Sequence, residues 1–278
     1  MIHPTAIVDP LAQVDRSVSI GPYAVVEGAV HIGPGCEIQA HAKLMGPLTM
    51  GSGNIVHSFA SLGDLPQDLK FSGQDSCVTI GDGNIFREHV TVHRGTGGQT
   101  TLGSNNFLMV ASHVGHNCRV GNHVTLVNGA LLGGHVEVND RAIIGGNCAV
   151  HQFCRIGRLA MISLTSAYNV DVPPFCMAVS TNLITQLNFV GLRRSGMSVK
   201  SQNALRRMFR WIYRTHAGRP LANALDDLPP ELDAVPEIQE FMAFVKSSKR
   251  GVARFRHWSS RHSRASTAID EADGDEKS

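Results

Sequence analysis

The sequence predicts a mainly β protein: a parallel β-helix coiled from six-residue repeats, followed by a small α-helical domain. Three observations predict it. First, an aliphatic residue recurs at every sixth position from Ile2, Val8, Val14, Ile20 and Val26 through to Leu62, and the frame resumes at Ile80, Phe86 and Val92. It restarts, shifted, at Leu102, Leu108, Val114, Val120 and Leu126 and runs to Ile162. Period six belongs neither to a helix nor to a simple alternating strand, so it marks a repeat architecture. Second, the residue two places earlier is usually small (Ala12, Ala24, Cys36, Ala42, Ala60, Cys118, Ala130, Ala142, Cys148), and the residue after is often glycine (Gly21, Gly33, Gly51, Gly103, Gly121, Gly145). That grammar suits a short strand that turns a corner, where glycine permits the backbone other residues resist. Third, the period fades after about residue 163 and helical spacing takes over.

Three hexads close a triangular coil of about eighteen residues, and stacked coils bury one continuous column of aliphatics. Beyond the repeat, Asp171-Val172-Pro173-Pro174 reads as a stop signal. Ala204, Leu205, Met208, Phe209, Ile212 and Tyr213 form one apolar stripe behind a Ser198 or Ser201 cap. Leu221, Leu225 and Leu228 predict a second helix, and Pro236 opens a third with Ile238, Phe241, Met242 and Val245 inward. The expected organisation is a β-helix over 1–184, a helical domain over 185–258 and a disordered tail over 259–278.

The repeat is broken twice. Between Leu62 and Ile80 the frame is kept but Asp68 and Gln74 replace aliphatics, and between Val92 and Leu102 four extra residues shift it. Both breaks predict loops thrown out of a coil, and loops on a rigid scaffold often carry function.

Composition excludes several classes. A net charge of +2 gives no case for nucleic acid. No apolar stretch reaches the roughly eighteen residues of a membrane span, and no secretory signal precedes the repeat. The six cysteines form no C-x-x-C pair, and four of them (Cys36, Cys118, Cys148, Cys154) fall on the small inward position. They read as buried thiols in a reducing cytoplasm.

Of fourteen histidines, His3, His31, His41 and His57 lie in early coils and read as solvated corners, while His257 and His262 fall in the basic C-terminal stretch. His93, His113, His116, His135 and His151 form the cluster that bears chemistry. Gly134 follows His116 by one coil and should stack on it, with His135 beside it and His151 about one coil further. An imidazole beside an open glycine N–H suits acyl transfer: the ring takes a hydroxyl proton and the N–H holds the oxyanion. Coil histidines packed against a neighbouring subunit would look the same. A rival reading recruits His93, His113 and His116 to zinc, as in a trimeric hydratase of the carbonic anhydrase type.

Several motifs occur in order: Gln67-Asp68-Leu69-Lys70, His93-Arg94-Gly95-Thr96, Leu108-Met109, His113-Val114-Gly115-His116, Gly133-Gly134-His135, Ala149-Val150-His151-Gln152-Phe153 and Gly191-Leu192-Arg193-Arg194. Over residues 1 to about 250 the chain resembles the UDP-N-acetylglucosamine 3-O-acyltransferases, the first acyltransferases of lipid A synthesis. The resemblance implies a left-handed coil, which period alone does not give. It implies a cytoplasmic homotrimer with its site between subunits, so that His116 and His151 could serve through different chains. It also implies a 3-hydroxyacyl thioester on acyl carrier protein as donor, UDP-N-acetylglucosamine as acceptor, and neither cofactor nor metal. His116 would be the general base and Gly134 the oxyanion donor. Gln67, Asp68, Lys70, His93, His113, His135, His151, Gln152, Asn188 and Arg194 would contact substrate, and Leu164 would limit acyl length. A related N-acyltransferase of the same pathway is the near alternative, although it usually carries an additional N-terminal domain. The basic run Lys246, Lys249, Arg250, Arg254 and Arg256 offers a docking face for the acidic carrier.

Three departures from the family pattern stand out. Asn117 replaces the usual Asp beside the base; it accepts a hydrogen bond from imidazole but cannot balance imidazolium, which predicts slower chemistry. Val190 and Ser195 replace a common Glu and Arg, which predicts weaker nucleotide contacts. Leu164 stands where Gly is frequent, which predicts a shorter acyl chain.

Overall fold

The computed structural model describes residues 1–215 and 221–255. Arg256, His257, His262 and the 259–278 tail lie outside the described residues. Short parallel strands form three sheets, and successive strands of each sheet come from successive coils. Sheet one holds nine strands, from Ile7–Val8 to Ala167–Tyr168, and sheet two holds eight, from Gln13–Val14 to Arg155–Ile156. Sheet three holds eleven; it starts at Ser19–Ile20 and ends with Cys176–Val179, Leu183–Leu187 and Arg254–Phe255. The register pairs Val114 with Leu132 and Leu132 with Val150, and likewise Val120 with Val138 and Leu126 with Ile144. Each sixth residue therefore enters the core from the next sheet in turn. Val26, Leu44, Leu62, Leu108, Leu126 and Ile144 are fully buried, each stacked on its equivalent one coil away.

Not every inward small position is apolar. Asn54, Asn84 and Asn106 are buried and form a ladder through the core. Asn84 donates from its N–H and its amide to Asn54 Oδ1 at 2.8 and 2.9 Å, and accepts from Asn106 N–H at 2.9 Å. Asn106 in turn accepts from Val124 N–H at 2.7 Å. The ladder meets corner N–H groups that would otherwise be buried unpaired. The corners are tight: Asn117, His135 and Phe153 all take positive φ, at 59, 59 and 65°. On another edge Tyr23, His41, Phe59 and His89 do the same and stack as a ladder with centroids 5.3, 5.1 and 5.3 Å apart. His41 is thus an exposed rung of an aromatic stack as well as a solvated corner.

The two breaks in the repeat leave the coil at one and the same corner, between sheets one and two, on consecutive turns. Leu62 pairs with Val92 and Val92 with Val114, so each long coil returns to register. A bulge at Gly63 lets Asp64 pair with His93 where the first loop departs.

The C-terminal part starts as a strand pair, Cys176–Val179 antiparallel to Leu183–Leu187. Helices follow: α1 (Phe189–Arg194), α2 (Val199–Arg210), α3 (Leu221–Asp226), α4 (Pro230–Asp233) and α5 (Pro236–Lys246). Ser198 caps α2 and Pro236 sits in the first turn of α5, as expected. Helices α1 and α4 are short and gave no periodic signal. Asp171 is more than a stop. It is 1% exposed and receives Arg155 Nε and Nη2 at 2.9 and 2.8 Å. Arg155 also donates to the Phe244 carbonyl, and Arg158 pairs with Glu240 at 2.7 Å. These two arginines of the coil clamp α5 to it, and Arg254–Phe255 then adds a strand beside Leu183–Leu187.

Asn84→Ala removes the middle rung: the Asn106 N–H loses its acceptor, and Asn54 Oδ1 keeps only the backbone N–H of residue 84. It is expected to cost about 2 kcal/mol and to lower the thermal midpoint. The exposed Thr79→Ala is expected to change stability by under about 0.5 kcal/mol.

Candidate functional site

The corner that throws out both loops also carries four of the five clustered histidines. His93 and His113 stand on sheet-one strands, His116 and His135 on the corner that follows. His93 and His113 meet edge to face with centroids 4.9 Å apart, and His116 and His135 do so at 5.2 Å. His135 stacks on Phe153 at 4.6 Å. His113 Nδ1 is 2.7 Å from the Thr91 hydroxyl.

Stacking places Gly134 against His116 as the spacing predicted. A Cβ on Gly134 would collide with Nε2, Cε1 and Cδ2 of that imidazole, so only glycine leaves the ring its place. The Gly134 N–H donates to no acceptor among the described residues. His135 N–H, by contrast, is committed to the His116 carbonyl at 2.8 Å.

The first loop folds back over this corner. Asp68 Oδ2 comes 3.9 Å from His116 Nε2, and Asp68 Oδ1 accepts the Lys70 N–H at 2.9 Å. That backbone bond is the main reason the Asp68 carboxyl is held below the usual range; the Thr96 hydroxyl and His116 act in the same direction. The second loop is tied to Asn117, whose Oδ1 lies 3.0 Å from His116 Nδ1 and accepts the Thr96 N–H at 2.9 Å.

Burial sets the protonation of the surrounding rings. It pushes the His113 imidazole down to about 4, with His93 and His116 acting in the same direction. It lowers His93 as well, against the pull of Asp64, and lowers His135. The site therefore holds neutral imidazoles around one ring next to a carboxylate. The thiols are no nucleophiles here: burial raises Cys118 to about 12 and Cys154 to about 11.

A cavity of about 340 Å³ is lined by Gln67, His93, His113, Gly115, His116, Gly133, Gly134, His151 and Gln152. His116 and His151 thus face one cavity within a single chain. Beside it runs a more apolar groove of about 700 Å³ floored by Ala111, Leu131, Ala149 and Ala167, sharing Gln67, His113, Gly133 and His151 with the first. Other expected positions lie apart. Lys70 and Arg194 are exposed. Leu164 is 67% exposed on the opposite edge of sheet one. Asn188 is 3% exposed and fully engaged: it caps α1 through Gly191 N–H and donates to the Leu159 carbonyl at 3.0 Å. Within one chain it sets the start of the helix carrying Arg194 and touches neither cavity.

Two contributors escaped sequence reasoning. Thr91 was legible in principle, since it pairs with His113 in the register. Arg250 reads in the sequence only as part of the basic docking run, but the turn after α5 brings it to the Asn169 carbonyl at 3.0 Å and to His151 Nδ1 at 3.3 Å. Lys246 is paired with Asp226 at 2.7 Å, so the basic run is not one uncommitted face. No three His, Cys, Asp or Glu side chains converge as a metal-ligand set among the described residues of one chain.

The chain also matches known proteins. Residues 171–253 match a family described as "Udp N-acetylglucosamine O-acyltransferase; Domain 2". An acyl-[acyl-carrier-protein]–UDP-N-acetylglucosamine O-acyltransferase of Janthinobacterium sp. (strain Marseille) is 41% identical over 262 residues, covering 91% of this chain and 99% of that one. Its counterpart in Halorhodospira halophila is 44% identical over 257 residues, with the same coverage. The chain belongs to this O-acyltransferase family. Solved relatives superpose closely: the UDP-N-acetylglucosamine acyltransferase of Francisella novicida at TM-score 0.86 and 35% identity, covering 91% of this chain and 94% of that one. That of Campylobacter jejuni gives 0.85 and 34%, covering 92% and 100%. The protein is an acyltransferase, and its coil is the left-handed parallel β-helix.

For this acyltransferase, an unfolded His113 takes up a proton as pH falls through about 6.5, whereas the folded one waits until about 4. The stability it contributes is therefore complete above about 6.5 and is lost progressively as pH falls towards about 4. NMR titration is expected to find His113 neutral at about pH 5.5, and His113→Gln to flatten the stability profile across that window.

Proposed function

We propose that the protein transfers a 3-hydroxyacyl chain from acyl carrier protein to the 3-hydroxyl of UDP-N-acetylglucosamine, the first step of lipid A biosynthesis. The observation that carries this reading is the placement of His116 Nε2 in the cavity, between Asp68 at 3.9 Å and Gly134. The relatives' names supply the donor and the acceptor. His116 takes the proton of the sugar hydroxyl as its oxygen attacks the thioester carbonyl directly. The Gly134 N–H holds the oxyanion, and Asp68 steadies the imidazolium. Collapse expels the thiolate, and the imidazolium returns its proton to give the free carrier thiol. The balance needs no covalent enzyme intermediate and no cofactor, in keeping with thiols held protonated by burial.

Gln67, His93, His113, His135, His151 and Gln152 surround the acceptor sugar and the thioester. Neutral His93 and His113 donate hydrogen bonds without competing as cations. Lys70 and Arg194, both exposed, serve the diphosphate or the carrier from the rim. The apolar floor of the larger groove receives the apolar part of the donor, and Leu164 limits its length across a subunit boundary in a cytoplasmic homotrimer. The β-helix supplies the chemistry, and the helices that follow it supply the rim.

Mass spectrometry of product from UDP-N-acetylglucosamine and a panel of 3-hydroxyacyl carrier thioesters tests the reading. A 3-O-acylated sugar nucleotide is expected; no transfer from any donor would sink the proposal. His116→Ala is expected to lower kcat by about 10²- to 10⁴-fold, the usual range for a lost general base. Leu164→Gly is expected to move the preferred donor to a longer chain, and an unchanged preference would remove Leu164 from the length rule.

A further inference from the structure

The resemblance implies Asp where this chain has Asn117, and the surroundings of Asn117 suit the amide. Its amide faces two backbone groups of opposite kind. The Thr96 N–H, 2.9 Å away, requires an acceptor; the Gly97 carbonyl, 2.8 Å from the other amide atom, requires a donor. Only one orientation of the amide meets both, with Oδ1 towards Thr96 and Nδ2 towards Gly97. His116 Nδ1 lies 3.0 Å from that same Oδ1, which has no hydrogen to give. The proton of neutral His116 must therefore sit on Nδ1, and the lone pair on Nε2 faces Asp68 and Gly134.

The rest of the loop is shaped to this amide. A Cβ on Gly95 would stand 2.8 Å from Nδ2, and Gly97 and Gly98 take φ of 74 and 77° to wrap around it. Asn117 itself has φ of 59°, which Asn tolerates better than most residues, and its N–H is anchored to the buried Thr100 hydroxyl at 2.8 Å.

We propose that Asn117 is a two-sided positioning residue: its amide oxygen fixes the His116 proton on Nδ1 while its amide nitrogen holds the Gly95–Gly98 loop closed, so that the amide serves here and a carboxylate does not. An Asp at this position would keep the acceptor for Thr96 and His116 but set a second oxygen against the Gly97 carbonyl. The loop would have to open or admit water. This reverses the expectation drawn from sequence, in which Asn is merely a weaker Asp. Its catalytic consequence rests on the acyl-transfer reading; its structural core does not.

The test compares wild type with Asn117→Asp and Asn117→Ala by three measurements. Histidine-ring ¹⁵N NMR on the intact protein should show the neutral His116 ring protonated at Nδ1 and bare at Nε2. Hydrogen exchange should show residues 95–98 protected in wild type and released in both variants. Acyl transfer should fall at least about tenfold in kcat for Asn117→Asp, with a smaller change in the KM for the sugar nucleotide, as expected for loss of a buried polar contact. Asn117→Asp matching or exceeding wild-type kcat with the loop still protected would overturn the proposal, as would a wild-type His116 protonated at Nε2. If wild type transfers no acyl group, the acyl-transfer reading fails while the NMR and exchange results still decide the role of Asn117. If Asn117→Asp does not fold, the wild-type NMR and Asn117→Ala exchange decide it.

Discussion

Because one coil returns to register after three hexads, each strand residue inside the coil has a fixed neighbour above and below, roughly 4.8 Å away. That constraint builds both the core and the site. Inward, it stacks Val114 on Leu132 and Leu132 on Val150, so the apolar column is continuous. Outward, it stacks Gly134 on His116, where any side chain would collide with the ring. The same periodic placement that excludes water from the interior holds an imidazole in one orientation at the edge. A site on separate loops would have to order those loops to reach this geometry; here the scaffold has already done so.

The register also explains why the two loops matter. They leave one corner on consecutive coils, and the coil above them carries His116. The first loop brings Asp68 to the imidazole from outside, and the second brings Thr96 and Gly97 to Asn117. The ring thus meets Asp68 at Nε2 and its sequence neighbour Asn117 at Nδ1, and Asn117 is itself held by Thr96 and Gly97, some twenty positions earlier and adjacent only because the coil stacks. Burial acts in parallel. It lowers His93, His113 and His135, so that the positive charge developing on His116 during transfer has a carboxylate beside it and few competing cations.

Much of this was legible in the residues, for a physical reason: period six with small and glycine punctuation leaves little choice of architecture. The triangular coil, the stacking of Gly134 on His116, the Ser198 cap, the start of α5 at Pro236 and the looping-out at the two breaks all follow from local pattern. What escaped was set by contacts without a local signature. The Asn54–Asn84–Asn106 ladder occupies positions where the pattern asks for a small apolar residue, and only the unmet corner N–H groups explain it. Arg250 reaches His151 because the chain returns to the coil after α5, which no spacing foretells. Asn188 looked like a binding residue by resemblance, yet within one chain its amide is consumed by a helix cap and a backbone carbonyl.

The helical part is more than an appendage to the coil. Arg155 on the last strand of sheet two and Arg158 on the corner after it are closed off by α5, with Arg155 also holding the buried Asp171 that ends the repeat. Removing one partner of so buried a pair strands the other charge, so the pair specifies where the helices sit more than it adds to stability. From that fixed seat the chain turns at Gly251 and delivers Arg250 to the rim of the histidine cavity and Arg254–Phe255 to sheet three. A guanidinium that spans the Asn169 carbonyl and His151 Nδ1 makes the placement of His151 depend on the docking of α5. The end of the repeat and the edge of the site are in this way set by the same clamp.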